Sequence, residues 1–100
     1  MKKIIGFIGC GNMGAALARA VAASVGGGKL LLADLDAAKC ALLSQDLNAK
    51  VATAEEIAKE AYAIVLGVKP QVLPALLEEI APAVKARGNS LTLVSMAAGV

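Results

Sequence analysis

Residues 3–14 read KIIGFIGCGNMG: an apolar run, then Gly9-x-Gly11-x-x-Gly14, then a helix-forming stretch. Asp34 follows twenty residues after Gly14, at the end of a second apolar run, Lys29-Leu30-Leu31-Leu32-Ala33. Each part is common alone. In this order they form the strand, glycine turn, helix, strand and acid of a dinucleotide-binding pattern. Gly9 permits a tight turn out of the strand. Gly11 lets the backbone approach a pyrophosphate, and Gly14 lets the helix lie close against the strands. The first turn of that helix carries unpaired N–H groups and the positive end of the helix dipole, both suited to a diphosphate. Asp34 is placed to accept hydrogen bonds from an adenosine ribose. An S-adenosylmethionine site uses a similar glycine turn and acid, and is the competing reading of the pattern.

The rest of the chain alternates strands and helices, which predicts an α/β fold with a parallel sheet. Strands are expected at 3–8, 29–33, 50–52, 63–68 and 90–95. The first helix is expected at 13–23, with Met13, Leu17 and Val21 on one face, and is ended by Gly26-Gly27-Gly28. A second helix covers 37–45 with Asp36 as N-cap. Thr53-Ala54-Glu55-Glu56 reads as a capping box that opens a third helix over 54–61. The fourth carries Leu73, Leu76, Leu77 and Ile80 at helical spacing. Pro74 is tolerated in its first turn, and Pro82 is expected to end or kink it near Ile80. Right-handed crossovers then give a doubly wound Rossmann-type sheet of order 3-2-1-4-5, two helices on each face. Ligands bind where the order reverses, between the first and fourth strands. Three loops meet there: 9–14, 68–70 and 96–99.

Composition narrows the function classes. Hydrophobic residues make up 58%, but 22 of the 100 residues are alanine, and no apolar run approaches the ~20 residues of a spanning helix. Without a signal-peptide pattern at the amino terminus, a cytoplasmic protein with no membrane partner is expected. Ten basic and eight acidic residues are scattered along the chain, and the aromatics are Phe7 and Tyr62 only. Nucleic-acid binding would want clustered cations or stacking rings. Cys10 and Cys40 fit no metal or redox spacing, and there is no histidine, so no metal site is expected.

Three blocks carry a family resemblance: GFIGCGNMG at the start, GVKPQ after the fourth strand and LVSMAAGV after the fifth. In order and spacing they resemble pyrroline-5-carboxylate reductase, over the whole chain but only over that family's cofactor domain. The resemblance implies transfer of hydride from a reduced nicotinamide, NAD(P)H, to the C=N bond of pyrroline-5-carboxylate, giving proline. It implies that Gly9, Cys10, Gly11, Asn12, Met13 and Gly14 hold the pyrophosphate, largely through backbone N–H groups. Val68, Lys69 and Pro70 would shape the loop beside the nicotinamide ribose. Met96, Ala97 and Ala98 would lie near the nicotinamide and the substrate. The family's helical second domain makes a homodimer and completes the substrate site. The 1–100 segment is therefore read as the amino-terminal cofactor domain, expected to bind dinucleotide but to catalyse little by itself, with the catalytic residues unassigned.

Several residues depart from the family pattern or invite a second reading. Many members carry a small polar residue where Asp34 stands, and users of NADP often follow it with arginine. Here the stretch is Asp34-Leu35-Asp36. A carboxylate repels a 2′-phosphate and accepts from a 2′-hydroxyl, which favours NAD over NADP. Lys39 could swing towards a phosphate and argues the other way. Ala54 stands where some members have asparagine near the adenosine. The structural alternative for Asp34 is a strand-end residue capping the next turn; Asp36 is better placed for that, which leaves Asp34 freer for the ribose. Lys69 reads as backbone fixed before Pro70 rather than as a proton donor. Cys10 reads as a small filler, Cys40 as a helix residue, Tyr62 as packing, and Ser95 as a strand end bonded to backbone. A related imine or 2-hydroxyacid oxidoreductase, or a non-enzymatic NAD(H)-binding module, are the alternatives to the leading reading.

Overall fold

The middle of the sheet is β1, Ile5–Ile8, flanked on one side by β2, Leu30–Ala33, and on the other by β4, Ala63–Leu66. In this computed structural model, which describes residues 4–9, 12–68, 71–87 and 92–95, β3 (Lys50–Val51) lies outside β2 and β5 (Thr92–Ser95) outside β4. All four pairings are parallel and the order is β3-β2-β1-β4-β5, as the alternating pattern predicts. In register, Phe7 stands between Leu32 and Val65, and Ile8 between Ala33 and Leu66.

Strand side chains alternate between faces, so a strand covered on both sides must be apolar throughout. Leu30, Leu32, Phe7 and Val65 pack on one face against Ala18 of α1 (Asn12–Val25) and Cys40 and Leu43 of α2 (Ala37–Leu47). Leu31, Ala33, Ile8, Ile64 and Leu66 pack on the other. There they meet Ile57 and Ala58 of α3 (Ala54–Glu60) and Leu76 and Ile80 of α4 (Leu73–Arg87). The two-and-two division of helices is the expected one. Each buried Leu, Ile or Phe contributes about 1.5–3 kcal/mol.

Local signals set the helix ends. Asp36 accepts from the Lys39 N–H at 3.1 Å and caps α2. Thr53 and Glu56 form the reciprocal capping box of α3, both bonds at 3.1 Å. α1 runs two residues past its expected end to Val25 before Gly26, at φ +90°, breaks it, and a 3-10 turn over Gly27–Lys29 leads into β2. β4 ends two residues before its expected end, at Leu66. The start expected for β5 lies outside the described residues.

Two expectations need correction. The inward face of α1 carries Gly14 and Ala18, both buried, with Ala15 and Val21 beside them, whereas Leu17 is 36% exposed. Small residues win this face because they let the helix axis approach the sheet, and a count of bulky residues misses that. Of the end or kink expected at Pro82, the end does not occur: α4 continues to Arg87. An interior proline costs about 3 kcal/mol or more. Here Pro82 and Glu78, whose carbonyl loses its partner, are both exposed, so water can serve that carbonyl. Leu76 and Ile80 are buried on the inner side and hold the helix against the sheet.

The far end of α4 is fixed by Arg87. Its guanidinium donates to the Ala58 carbonyl at 2.9 Å and the Ala61 carbonyl at 2.6 Å, satisfying carbonyls that the end of α3 leaves without helical partners. We expect Arg87→Ala to cost about 1.5–3 kcal/mol in urea unfolding, and Arg87→Lys to recover only part of it. A lysine variant as stable as the parent would show that the forked geometry contributes nothing.

Candidate functional site

The site is built on close backbone contact. Gly9 leaves β1 at φ +94°, and its N–H donates to the Ala33 carbonyl at 2.8 Å. A Cβ on Gly9 would lie 2.6 Å from the Gly67 carbonyl carbon and 2.7 Å from the Val68 nitrogen. A Cβ on Gly14, in the first turn of α1, would run into the Gly9 carbonyl oxygen. One on Gly67 would lie 2.8 Å from that same oxygen. Gly9, Gly14 and Gly67 therefore bring the end of β1, the start of α1 and the end of β4 into mutual contact. No side chain fits between them.

Above this contact, at the carboxyl ends of β1 to β4, lies a cleft of about 870 Å3. Gly9, Asp34, Lys39, Thr53, Gly67 and Val68 are among the residues around it. The sheet order reverses between β1 and β4, which is where doubly wound folds bind ligands. Asp34 is half-buried, and its Oδ1 accepts from the Asp36 N–H at 2.9 Å. Both acids thus shape the β2–α2 connection: Asp36 caps the helix and Asp34 makes the turn that leads to it. The structural alternative for Asp34, capping of the next turn, is realised alongside the Asp36 cap. A carboxylate has acceptor capacity for more than one donor, so the turn bond does not preclude a second one. Among the described residues around the cleft, Asp34, Asp36 and Glu79 are acidic, Lys39 is basic and none is arginine.

Of the residues singled out in the sequence, Gly9, Asp34 and Val68 border the cleft, and Gly14 backs Gly9 from behind. Asn12 and Met13 open α1, and only their backbone is described. Cys10, Gly11, Lys69, Pro70, Met96, Ala97 and Ala98 lie outside the described residues. Ser95 ends β5 opposite Leu66. Cys40 is buried and also borders the cleft. Tyr62 precedes β4 at the opposite end of the sheet and is 47% exposed, so it packs less than expected and lies away from the site.

Gly67 was not singled out, although a glycine closing an apolar strand run is a signal of close backbone approach. Gly6 was also missed. Its Cβ would run into Ile57 Cγ2, so it admits α3 to the sheet rather than shaping the cleft. A second hollow, of about 430 Å3, lies on the outer side of α3 and α4 around Glu55, Lys59 and Arg87, and includes no part of the glycine contact. Among the described residues there is no cluster of three potential metal ligands and no helix long and apolar enough to cross a membrane.

The reversed parallel order, the glycine contact and the acid after β2 define a Rossmann-type domain. The chain belongs to the family described as NADP oxidoreductase, coenzyme F420-dependent, whose model matches residues 4–99. The resemblance to pyrroline-5-carboxylate reductase is borne out. The enzyme of that name from Escherichia coli (strain K12) is 39% identical over 103 aligned positions, covering 100% of this chain and 37% of the relative. The Plasmodium falciparum pyrroline carboxylate reductase, solved with NADP bound, is 26% identical with a TM-score of 0.75, covering 96% of this chain and 34% of that one. An imine reductase variant from Myxococcus stipitatus, solved with NAD+, is 27% identical with a TM-score of 0.77, covering 95% of this chain and 32% of that one. The chain thus spans about a third of the length of these relatives.

Proposed function

We propose that this chain is the cofactor-binding domain of a pyrroline-5-carboxylate reductase, an enzyme that reduces pyrroline-5-carboxylate to proline in proline biosynthesis. The observation that carries this reading is 39% identity to such an enzyme over the full length of this chain, joined to a cleft whose glycine contact and acid suit a dinucleotide. The cofactor is NADH in preference to NADPH. When bound, the reduced nicotinamide supplies the hydride that the C=N bond receives. The chain's own residues bind and orient. Gly9 to Gly14 bring the first turn of α1 against the pyrophosphate, and Asp34 accepts from the ribose hydroxyls. Lys69 and Pro70 shape the loop beside the nicotinamide ribose, and Met96, Ala97 and Ala98 border the nicotinamide and substrate. Hydride transfer depends strongly on such positioning. The complete protein is a cytoplasmic homo-oligomer whose helical second domain completes the substrate pocket.

A second reading, reduction of a different imine, is favoured by the likeness to the Myxococcus stipitatus enzyme. Substrate profiling of the complete protein separates the two. The first test is a titration of this chain with NADH and with NADPH, followed by nicotinamide fluorescence. NADH should bind tighter. Tighter NADPH binding would overturn the role given to Asp34 and make Lys39 the first residue to exchange. Binding of neither would overturn the cofactor reading altogether.

A further inference from the structure

The acidic rim of the cleft treats the two nicotinamide cofactors differently, because only one of them carries a titrating phosphate. Asp34 is half-buried where β2 ends, and its Oδ1 accepts from the Asp36 N–H at 2.9 Å, which holds the carboxylate at the rim. Asp36 stands two residues on, as the cap of α2. Glu79 of α4 borders the same cleft, and Lys39 is the one cation among its described residues. Cys40, buried beside Lys39, is the one thiol there. Three carboxylates to one ammonium leave the described rim net negative.

A carboxylate accepts hydrogen bonds and donates none. A ribose 2′-hydroxyl offers it an O–H and carries no charge, so contact with NAD exchanges no proton. A 2′-phosphate monoester loses its second proton near about pH 6. At neutral pH it is mostly the dianion, which has no hydrogen to donate and repels a carboxylate. The monoanion keeps one P–O–H and can donate it to a carboxylate in a charge-assisted bond. No arginine stands among the described residues of the cleft to neutralise the dianion instead.

We propose that Asp34 makes cofactor choice depend on pH: NADP binds with one proton held between its 2′-phosphate and the Asp34 carboxylate, and NAD binds without one. The proposal rests on the cofactor reading above and adds a proton linkage to it. The proton comes from solvent, sits on an oxygen of that pair and returns to solvent when NADP leaves. From the phosphate's own titration, about 3% of NADP is the monoanion at roughly pH 7.5 and about three quarters at roughly pH 5.5. Apparent affinity follows the fraction competent to bind. The test is calorimetric titration of the parent chain with NADP+ and NAD+, oxidised forms that withstand mild acid. Over that range NADP+ should tighten by about tenfold or more, and NAD+ should change by less than about twofold. Near about pH 7, paired titrations in buffers of different ionisation enthalpy should show uptake of about one proton with NADP+ and none with NAD+. Asp34→Asn keeps an acceptor for the Asp36 N–H but loses the charge, so it should abolish both the proton uptake and the tightening. Flat NADP+ affinity in the parent, parallel tightening of both ligands, or binding of NAD+ alone at every pH would overturn the proposal and leave the cofactor site standing. Unchanged tightening in Asp34→Asn would assign the proton to another group, such as Asp36 or Glu79, and overturn it as well. Failure of the parent to bind either dinucleotide would overturn the cofactor reading too. Thermal unfolding at each pH checks that a lost response is not lost structure.

Discussion

Gly9→Ala should remove dinucleotide binding and cost the fold about 2–6 kcal/mol, out of the 5–15 kcal/mol typical of a domain. Two independent effects add. The backbone at Gly9 has φ +94°, where a side chain strains the turn by about 1–3 kcal/mol. The new Cβ would also stand 2.6–2.8 Å from the backbone of Gly67 and Val68, and forcing atoms into packed space costs about another 1–3 kcal/mol. Neither contact is with the end of a flexible side chain, so relief requires the β1 turn and the end of β4 to part. Their separation would displace the first turn of α1 from the cleft. Urea unfolding and an NADH titration, the latter in conditions where the variant stays folded, measure the two losses separately. Gly14→Ala makes a useful comparison. Its clash is with the Gly9 carbonyl alone and its φ is ordinary, so the loss should be smaller. A Gly9→Ala variant that still binds NADH like the parent would show that the turn does not position the pyrophosphate.

Asp34→Ser should move the ratio of NADPH to NADH affinity towards NADPH by about tenfold or more. The carboxylate is half-buried at the end of β2, where it would repel a 2′-phosphate and accept from a 2′-hydroxyl. Removing one charged hydrogen bond costs about 1.5–3 kcal/mol with NADH, and removing the repulsion helps NADPH. Serine is the informative exchange because its hydroxyl can still accept from the Asp36 N–H and keep the turn. Adding Leu35→Arg should take the preference further, since a guanidinium can hold a phosphate with two parallel bonds. Leu35 is 87% exposed beside the cleft, so the larger side chain meets no packed core. An unchanged ratio in the double variant would mean that the ribose lies elsewhere, with Lys39 the next residue to examine.

Much of this architecture is legible in the chain because single residues report it. Asp36, Thr53 and Glu56 are local caps, and each makes the hydrogen bond that its spacing implies. The runs Leu30–Ala33 and Ala63–Leu66 are apolar at every position because each strand is covered on both faces, and both lie in the interior of the sheet. The errors fall where a distant partner decides. The inward face of α1 is set by how close the helix can come to β1 and β4, which favours Gly14 and Ala18 over Leu17. α4 continues past Pro82 because Leu76 and Ile80 are buried against the sheet and Arg87 is tied to α3, anchors that lie outside the proline's own neighbourhood.

The same division holds at the site. The order of residues alone determined that a glycine turn follows the first strand and that an acid ends the second, because turns and strand ends are properties of consecutive residues. It also carried the family resemblance. That Gly67 presses on Gly9 and that Glu79 shares a cleft with Asp34 and Asp36 was decided only by the tertiary structure. The parallel crossovers bring β4 beside β1 and lay α4 across from the β2–α2 turn, so residues more than thirty positions apart in sequence come to face one cavity. Pairings of that kind are set by packing of the whole sheet, which no short stretch of sequence encodes.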